Sequence, residues 1–239
     1  MSQAAITRNT TKICTKIGVD MKRALKRIIY SCSFLENCFN SLKKIKSKGG
    51  YTVENNGYGR YKCDVIEKNN KIIIGKDAFL KDTEFRIRGT NNQIIIDENC
   101  IIGPNCSFWI EGNESLIHVG KKSTFTRIVH FCAQEDYVSI EVGSDCMFSN
   151  NIVVRTSDSH PIYSMEDENR INPAKNVSIG NHVWVAPNAK VMKGVDIGSG
   201  TIIGSDTIVT RSIPENVLAV GHPARVVKEK IKWTREQLF

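Results

Sequence analysis

The sequence lacks several features that would assign it to common classes. No run of 18 apolar residues occurs in the 239-residue chain, and the N-terminus has no secretory h-region, so we expect neither a transmembrane span nor a secretory signal. None of the eight cysteines forms a C-x-x-C pair. Four of them occupy positions of small apolar residues and are predicted to be reduced core thiols of a cytoplasmic protein: Cys100, Cys106, Cys132 and Cys146.

The sequence also lacks the helical patterns of 10–15 residues that alternate with strands in a βαβ sheet. Instead, an aliphatic β-branched residue recurs at every sixth position: Ile179, Val185, Val191, Ile197, Ile203 and Val209. A period of six fits neither an amphipathic helix nor a half-buried strand, and it is typical of a solenoid. The pattern predicts a mainly β fold, a hexapeptide solenoid that forms a parallel β-helix.

The same theme recurs upstream with a longer spacing. The registering aliphatic residues lie 22, 23 and 23 positions apart: Ile74, Ile96, Val119 and Val142. Three hexads would make 18, so each early coil is predicted to carry a few extra corner residues. We expect the coils to run from about 60 to 212, with no second domain in that span.

Positive charge is concentrated at the N-terminus. Residues 1–50 hold 11 Lys and Arg against two acidic residues, whereas the rest of the chain is nearly neutral. Two interpretations of this segment stay open: peripheral contact with an anionic membrane or acidic partner, and a cap on the first coil with a solvated basic face. No aromatic-interleaved basic motif accompanies the charge, so nucleic acid is not expected as a partner.

These patterns divide the chain into three parts. Residues 1–50 are predicted to be a basic helical segment, because an apolar stripe over 21–47 ends at two glycines. Residues 51–225 form the β-helix domain, with a protruding loop at 158–175. Residues 226–239 are predicted to be a short helix.

One of the five histidines stands apart from the repeat. His160 follows a predicted strand, and the fourteen residues after it break the pattern before it resumes at Val177. Loops that leave a rigid scaffold commonly carry sites, and imidazole is suited to take a proton near neutral pH. His160 is therefore the candidate base. The five histidines lack a closely spaced pair, so no metal is expected and a γ-type carbonic anhydrase is disfavoured.

Three motifs resemble one known family. S-D-S-H-P at 157–161 is followed 24 residues after its histidine by Trp184 within I-G-N-H-V-W, and the repeats end in A-V-G-H-P-A-R at 219–225. Over about 60–228 the chain resembles the left-handed β-helix (hexapeptide-repeat) acyltransferases. The branch that it resembles contains the maltose, galactoside and capsular-polysaccharide O-acetyltransferases. The loop motif looks similar to that of sialic-acid and polysialic-acid capsule O-acetyltransferases.

The resemblance implies a homotrimer with active sites between protomers and with acetyl-CoA as co-substrate, without a permanently bound cofactor. His160 would be the general base, and Trp184 would cover the pantetheine arm and screen the histidine from water. It also implies a set of coenzyme-binding positions: Trp184, Gly204, Ser205, Thr210, Arg211, Ala219, Gly221 and Arg225. Two departures from the family pattern, Asp206 and His222, lie close to these positions.

The acceptor implied by the resemblance is a glycan hydroxyl. The candidate acceptor-binding residues lead into the catalytic loop: Asn150, Asn151, Arg155 and Asp158. Arg155 could pair with an anionic sugar such as a sialate, or it could hold a carboxylate of its own loop; both alternatives stay open. Asp158 could also orient His160.

Two further alternatives belong to other classes. An N-acetyltransferase acting on an amino-sugar nucleotide would use the same solenoid, and a non-catalytic scaffold of stacked coils would need none of these motifs. The intact S-H-P element and Trp184 argue against the scaffold.

Overall fold

The computed structural model describes residues 45–238, with side chains from residue 49 onward. Every element named in this range is a strand. In chain order the strands are β1 (Ile45–Lys48), β2 (Tyr51–Asn55), β3 (Tyr58–Val65), β4 (Asn70–Ile74), β5 (Phe79–Arg88), β6 (Gln93–Ile96), β7 (Ile101–Ile102), β8 (Ser107–Glu111), β9 (Leu116–Val119), β10 (Thr124–Gln134), β11 (Ser139–Val142), β12 (Met147–Arg155), β13 (Val177–Ile179), β14 (Trp184–Val185), β15 (Lys190–Val191), β16 (Asp196–Ile197), β17 (Ile202–Ile203), β18 (Ile208–Val209), β19 (Leu218–Val220) and β20 (Arg225–Lys228).

The strands stack in parallel from one coil to the next. The first side of the coils is a sheet with the order β1-β2-β4-β6-β9-β11-β13-β16. A second sheet of twelve strands forms the other two sides, because β5, β10 and β12 each continue from the second side into the third. In a later coil β14 and β15 occupy these two sides separately, and both pair with β12. The predicted mainly β solenoid is confirmed.

The register of the coils follows the predicted spacings. The long spacing is confirmed by the pairs Ile74–Ile96, Ile96–Val119 and Val119–Val142. Ile179 pairs with Ile197, which lies one set of three hexads further on. We number the coils by their first side, so that coil 1 begins with β2, coil 5 with β11, coil 6 with β13 and coil 7 with β16.

The extra residues of the early coils lie in the third side and the third corner. In coil 3, Ile96, Ile102 and Phe108 are buried at six-residue steps, as in the later hexads. After Phe108 the chain adds the outer part of β8 and a corner before it reaches Val119, eleven residues on. The first two sides therefore keep one register along the whole solenoid, which gives a single continuous core.

The core contains aliphatic ladders together with stacked aromatic rings. Five phenylalanines are buried in the long coils: Phe85, Phe108, Phe125, Phe131 and Phe148. The predicted core cysteines are confirmed: Cys100, Cys106 and Cys146 are fully buried, and Cys132 is 7% exposed. Burial raises the pKa of the Cys100 thiol to about 12.

The predicted N-terminal helical segment is wrong at its end. Residues 45–48 form β1, which pairs antiparallel with β2 through a turn at Gly49 and Gly50. Both glycines have positive φ, 61° and 94°, as the two central residues of a type I′ hairpin turn require. The rest of the predicted helical stretch, residues 21–44, lies outside the described residues.

The predicted C-terminal helix is also wrong. Arg225–Lys228 form β20, antiparallel to β19, and residues 229–238 contain no helix. The Trp233 side chain is 8% exposed and stacks on His182 with ring centroids 3.9 Å apart. Arg235 donates hydrogen bonds to Asp145 and to Thr124 on earlier coils. These tertiary contacts outweigh a modest local helix propensity. None of the described residues forms a helix that could cross a membrane.

Candidate active site

The candidate base lies on a loop that leaves the solenoid at its third corner. The chain departs after Arg155 at the end of β12 and returns at Val177, the start of β13. Within it, the strand-like bridge between Tyr163 and Arg170 folds the excursion into a small hairpin. His160 lies on the outgoing arm, and its side chain is exposed. The range predicted for the loop, 158–175, lies within this excursion.

Asn172 joins the two arms of this loop. Its Nδ2 donates to Oδ2 of Asp158 and to the backbone oxygen of His160, each at 2.9 Å. Its Oδ1 accepts from the backbone nitrogen of Ile162 at 2.7 Å. The Asn172 residue is only 7% exposed. One buried amide thus holds the backbone of His160 and Ile162 together with the carboxylate of Asp158.

Two ion pairs attach the loop to the neighbouring coils. Lys193 of coil 6 donates from Nζ to Oδ2 of Asp158 at 2.5 Å, and Lys193 and Asn172 lower the pKa of that carboxyl. Arg170 contacts both oxygens of Glu135 on coil 4, at 2.7 and 2.6 Å. Arg170, and then the hydroxyl of Ser157, lower the pKa of Glu135 to about 2.

The predicted acceptor residues at the base of the loop are engaged within the chain. An NH2 group of Arg155 donates to Oγ of Ser159 at 2.6 Å, and Ser159 donates in turn to Gln134. The Nε of Arg155 is buried and has no partner among the described residues. Asp158 is bound by Lys193 and Asn172, as described above. Both side chains are therefore fixed before any acceptor arrives.

Asn150 and Asn151 lie at the second corner of coil 5, away from the loop. Asn151 has φ 58°, the left-handed conformation that asparagine tolerates. Its Nδ2 donates to Asn188, whose Nδ2 donates to Asp206. The ladder holds the second corners of three successive coils, so a structural role accounts for Asn151. Asp206 belongs to this ladder, and its carboxylate accepts from Asn188.

Trp184 lies on the outer face of the second side of coil 6. The side chain alternates with the buried Val185, and its Nε1 is buried without a partner among the described residues. Trp233 of the C-terminal segment lies beside it, with ring centroids 5.9 Å apart. Trp233 also donates from Nε1 to the backbone oxygen of His182 at 3.0 Å. The C-terminal segment thus supports the strand that carries Trp184.

Within one chain, the loop and Trp184 lie on opposite sides of the coil. The third corner joins the third side to the first side of the next coil, so it lies opposite the second side. His160 is fixed at this corner through Asn172 and Lys193. Trp184 points outward from the second side. A single chain therefore does not bring the two predicted catalytic residues together.

The predicted coenzyme-binding positions lie on the last two coils. Ser205, Thr210, Arg211, Gly221 and Arg225 are all exposed. Two further positions of this set, Gly204 and Ala219, take part in the packing of the solenoid. The amide of Gly204 donates to the backbone oxygen of Ala219 at 2.9 Å, so it is already used inside the solenoid. The Ala219 side chain is fully buried, so only its backbone lies near the surface. Gly204 is required for packing, since a Cβ there would lie 2.6 Å from Val220 Cγ1.

Comparisons with known proteins identify the family. The family model "Bacterial transferase hexapeptide (six repeats)" matches residues 176–211. A polysialic acid O-acetyltransferase of Neisseria meningitidis is 34% identical over 180 residues, which cover 72% of this chain and 79% of that protein. The chain belongs to the hexapeptide-repeat O-acetyltransferases. Members of this family are acyltransferases, and this chain is one.

Other similarities agree with this family. A polysialic acid O-acetyltransferase of Escherichia coli O1:K1 / APEC is 33% identical over 121 residues, which cover 51% of this chain and 39% of that protein. The crystal structure of the polysialic acid O-acetyltransferase OatWY matches with a TM-score of 0.67 and 28% identity, over 80% of this chain and 93% of that chain. The hexapeptide-repeat O-acetyltransferase fold thus extends over most of the described residues.

The structure adds residues that the motifs did not reveal. Asn172, Lys193 and Glu135 hold the loop, and Trp233 supports the strand of Trp184. They lie 12–51 positions away from the groups that they contact. Only weak features of the sequence point to these residues: Asn172 precedes a proline in a segment without repeats, and Trp233 lies in a polar C-terminal segment.

Proposed function

We propose that this hexapeptide-repeat O-acetyltransferase transfers the acetyl group of acetyl-CoA to a hydroxyl of a bacterial cell-surface glycan. A capsular polysaccharide is the proposed acceptor class, with sialic acid or polysialic acid as the first candidates. The names of the relatives from N. meningitidis and E. coli support this acceptor. We place the reaction in the cytoplasm, in agreement with the buried single thiols of the coils.

In the proposed reaction, the acceptor oxygen attacks the thioester carbonyl while His160 takes its proton. The C–S bond then breaks, the acetyl group stays on the sugar oxygen as an ester, and the imidazolium returns the proton to the departing CoA thiolate. A positioned base of this kind typically contributes about 10²–10⁴-fold to the rate. The exposed imidazole on a fixed loop supports this role, because the ring is accessible while its backbone is held.

One observation carries the proposal that the active enzyme is a homotrimer with shared sites: His160 and Trp184 lie on opposite sides of one chain. Copies that pack side by side around a three-fold axis would bring the third corner of one protomer against the second side of the next. Trp184 would then cover the pantetheine arm beside the partner's loop. A left-handed β-helix, as the resemblance implies, is part of this proposal.

The coenzyme would extend from Trp184 along the last coils. Thr210, Arg211 and Arg225 are exposed there and are suited to the phosphates, since guanidinium groups bind phosphate through paired donors. Ser205 and Gly221 would line the groove with their backbones. For the acceptor, we propose that Arg155 and Asp158 act through the loop that they hold, and that Asn150 remains a candidate contact.

The test is an assay of thiol release from acetyl-CoA with a panel of sialylated and neutral capsular glycans, using the wild type and His160→Ala. We expect turnover with a sialylated acceptor and loss of at least 100-fold in the variant, with coenzyme binding retained. Equal rates in the two proteins would remove His160 from the mechanism. Alkali-labile product identifies an ester, whereas alkali-stable product would identify the N-acetyltransferase alternative.

A further inference from the structure

We propose that Asn172 is a positioning residue for the candidate base, acting through the backbone of His160. This inference rests on the proposed function, because it concerns the same histidine. It goes beyond the motifs, which contain His160 but do not include Asn172.

Little apolar surface of the loop is buried, so its conformation must be held by hydrogen bonds within the loop. Four of its apolar side chains are exposed: Ile162, Tyr163, Met165 and Ile171. Ser159, directly before His160, adopts a φ of 70°, which non-glycine residues rarely adopt. A loop with little buried apolar surface and a strained residue would not by itself keep one conformation.

Asn172 holds the loop because every donor and acceptor position of its side-chain amide is hydrogen-bonded. The two donor positions of its Nδ2 are used by Asp158 and the His160 backbone oxygen, and its Oδ1 accepts from the Ile162 amide and, at 3.4 Å, from Nε of Arg170. Only a side-chain amide of this length offers two donors and an acceptor in one plane. Aspartate has the same shape but lacks the donors, and its charge would face the Asp158 carboxylate.

Lys193 connects these hydrogen-bonded residues of the loop to the solenoid. Its Nζ donates to Oδ2 of Asp158 and, at 3.0 Å, to the backbone oxygen of Asn172. Both ends of the loop are therefore tied to coil 6, whose register is fixed by the hexad ladder. The position of the His160 backbone is set by a rigid element, whereas its imidazole is left free to meet the acceptor.

The consequence for catalysis is preorganisation. A displacement of about 1 Å in a reacting group can cost about 10²-fold in rate. Replacing Asn172 should release the backbone of His160 and Ile162 and the carboxylate of Asp158. The expected effect is a fall in kcat, with little change in KM for acetyl-CoA, because the positions proposed to bind the phosphates, Thr210, Arg211 and Arg225, lie beyond coil 6 and are not among the hydrogen-bond partners of Asn172 in the described part of the chain.

The experiment measures kcat and KM for Asn172→Asp in the full chain, with Asn169→Ala as the matched control. Asn169 is exposed on the same loop, and within the described part of the chain its side chain donates to Asp167 alone. We expect kcat to fall about 10–100-fold in Asn172→Asp and to stay within about twofold in the control. Wild-type kcat in Asn172→Asp, or an equal loss in the control, would overturn the inference.

A double-mutant cycle with His160→Ala distinguishes positioning from general destabilisation. If Asn172 acts through His160, Asn172→Asp should cause no further loss in the His160→Ala background. An equal loss in both backgrounds would overturn the inference. Should Asn172→Asp not fold, Lys193→Met replaces it in the same cycle, with the same expected pattern and the same contradicting one.

The cycle also separates this inference from the proposed function. Full activity of the single His160→Ala variant would defeat the proposed base, and with it the inference. Loss of activity in His160→Ala together with full activity in Asn172→Asp would defeat only the inference.

Discussion

The long coils and the short coils of this solenoid solve the same packing problem differently. Coils 2–5 lie 22–23 residues apart, and their third side is extended by strands such as β5 and β10, of 10 and 11 residues. Coils 6 and 7 repeat every 18 residues with two- or three-residue strands. Five phenylalanine rings are buried in the long coils, whereas the buried apolar residues of coils 6 and 7 are valine, isoleucine and alanine.

The loop that carries His160 leaves the solenoid at the corner where one coil length changes to the other. The extended strand β10 of the long coils ends in Gln134, and Glu135 follows it; these residues hold Ser159 and Arg170. The short coil supplies Lys193 from the other side. The change in coil length is useful in itself, because the extended third side of the long coils ends in residues that bind the loop.

The largest expected effect concerns which chain supplies which half of the site. We expect His160→Ala and Trp184→Ala each to be nearly inactive alone. When the two variants are co-expressed, a site that takes His160 from one protomer and Trp184 from its neighbour is restored in some interfaces. Random assembly of trimers would recover roughly a quarter of the wild-type activity. Thiol release by the purified mixture measures this, and no recovery would mean that each chain forms its own site.

The next effect compares the two kinds of core. Phe108→Ala in the long coils should lower the free energy of unfolding by about 3–5 kcal/mol, since the ring is buried among Phe85, Phe125 and Phe131. Ile203→Val in a short coil should cost only about 0.5–1.5 kcal/mol. Urea unfolding followed by circular dichroism measures both. Equal losses would contradict the expectation that the loss follows the buried volume that each substitution removes.

The sequence predicted the solenoid well and the contacts of the site poorly. The hexads predicted pairs such as Ile179–Ile197 because the period of a stacked coil is a local property of the chain. The bonds of Asn172 depend on where two arms of a non-repeating loop meet, which no period encodes. The C-terminal helix was predicted from local propensity, but the packing of Trp233 against His182 decided the conformation.

The C-terminal segment, residues 229–238, can be used to test how much the stability of the short coils depends on its contacts. Trp233→Ala removes the stack on His182 and the neighbour of Trp184, and stacking of this kind contributes about 0.5–1.5 kcal/mol beyond area burial. We expect a melting temperature a few degrees lower and a raised KM for acetyl-CoA. Leu238→Ala, an exposed position in the same tail, is the control. Identical values for the two variants would contradict a role of the tail in supporting Trp184.

The smallest expected effect is the pH dependence of the anchor on the long coils. The pKa of Glu135 is lowered from 4.5 to about 2, so folding favours its ionised form. The contribution of the ionised Glu135 carboxylate to the free energy of unfolding is fully present above about pH 4.5 and is lost as the pH falls towards 2. Because an ion pair at the surface is worth about 1 kcal/mol or less, Glu135→Gln should lower the stability slightly at pH 7.

The difference between Glu135→Gln and the wild type should shrink through this acid range, as measured by thermal melts from pH 7 to pH 3. Glu114→Gln, an exposed position at the same corner one coil earlier, should melt like the wild type at every pH. If the Glu135 variant kept a constant difference at all pH values, the carboxylate of the long coil would not be what holds the loop, and Lys193 of the short coil would carry the anchoring alone.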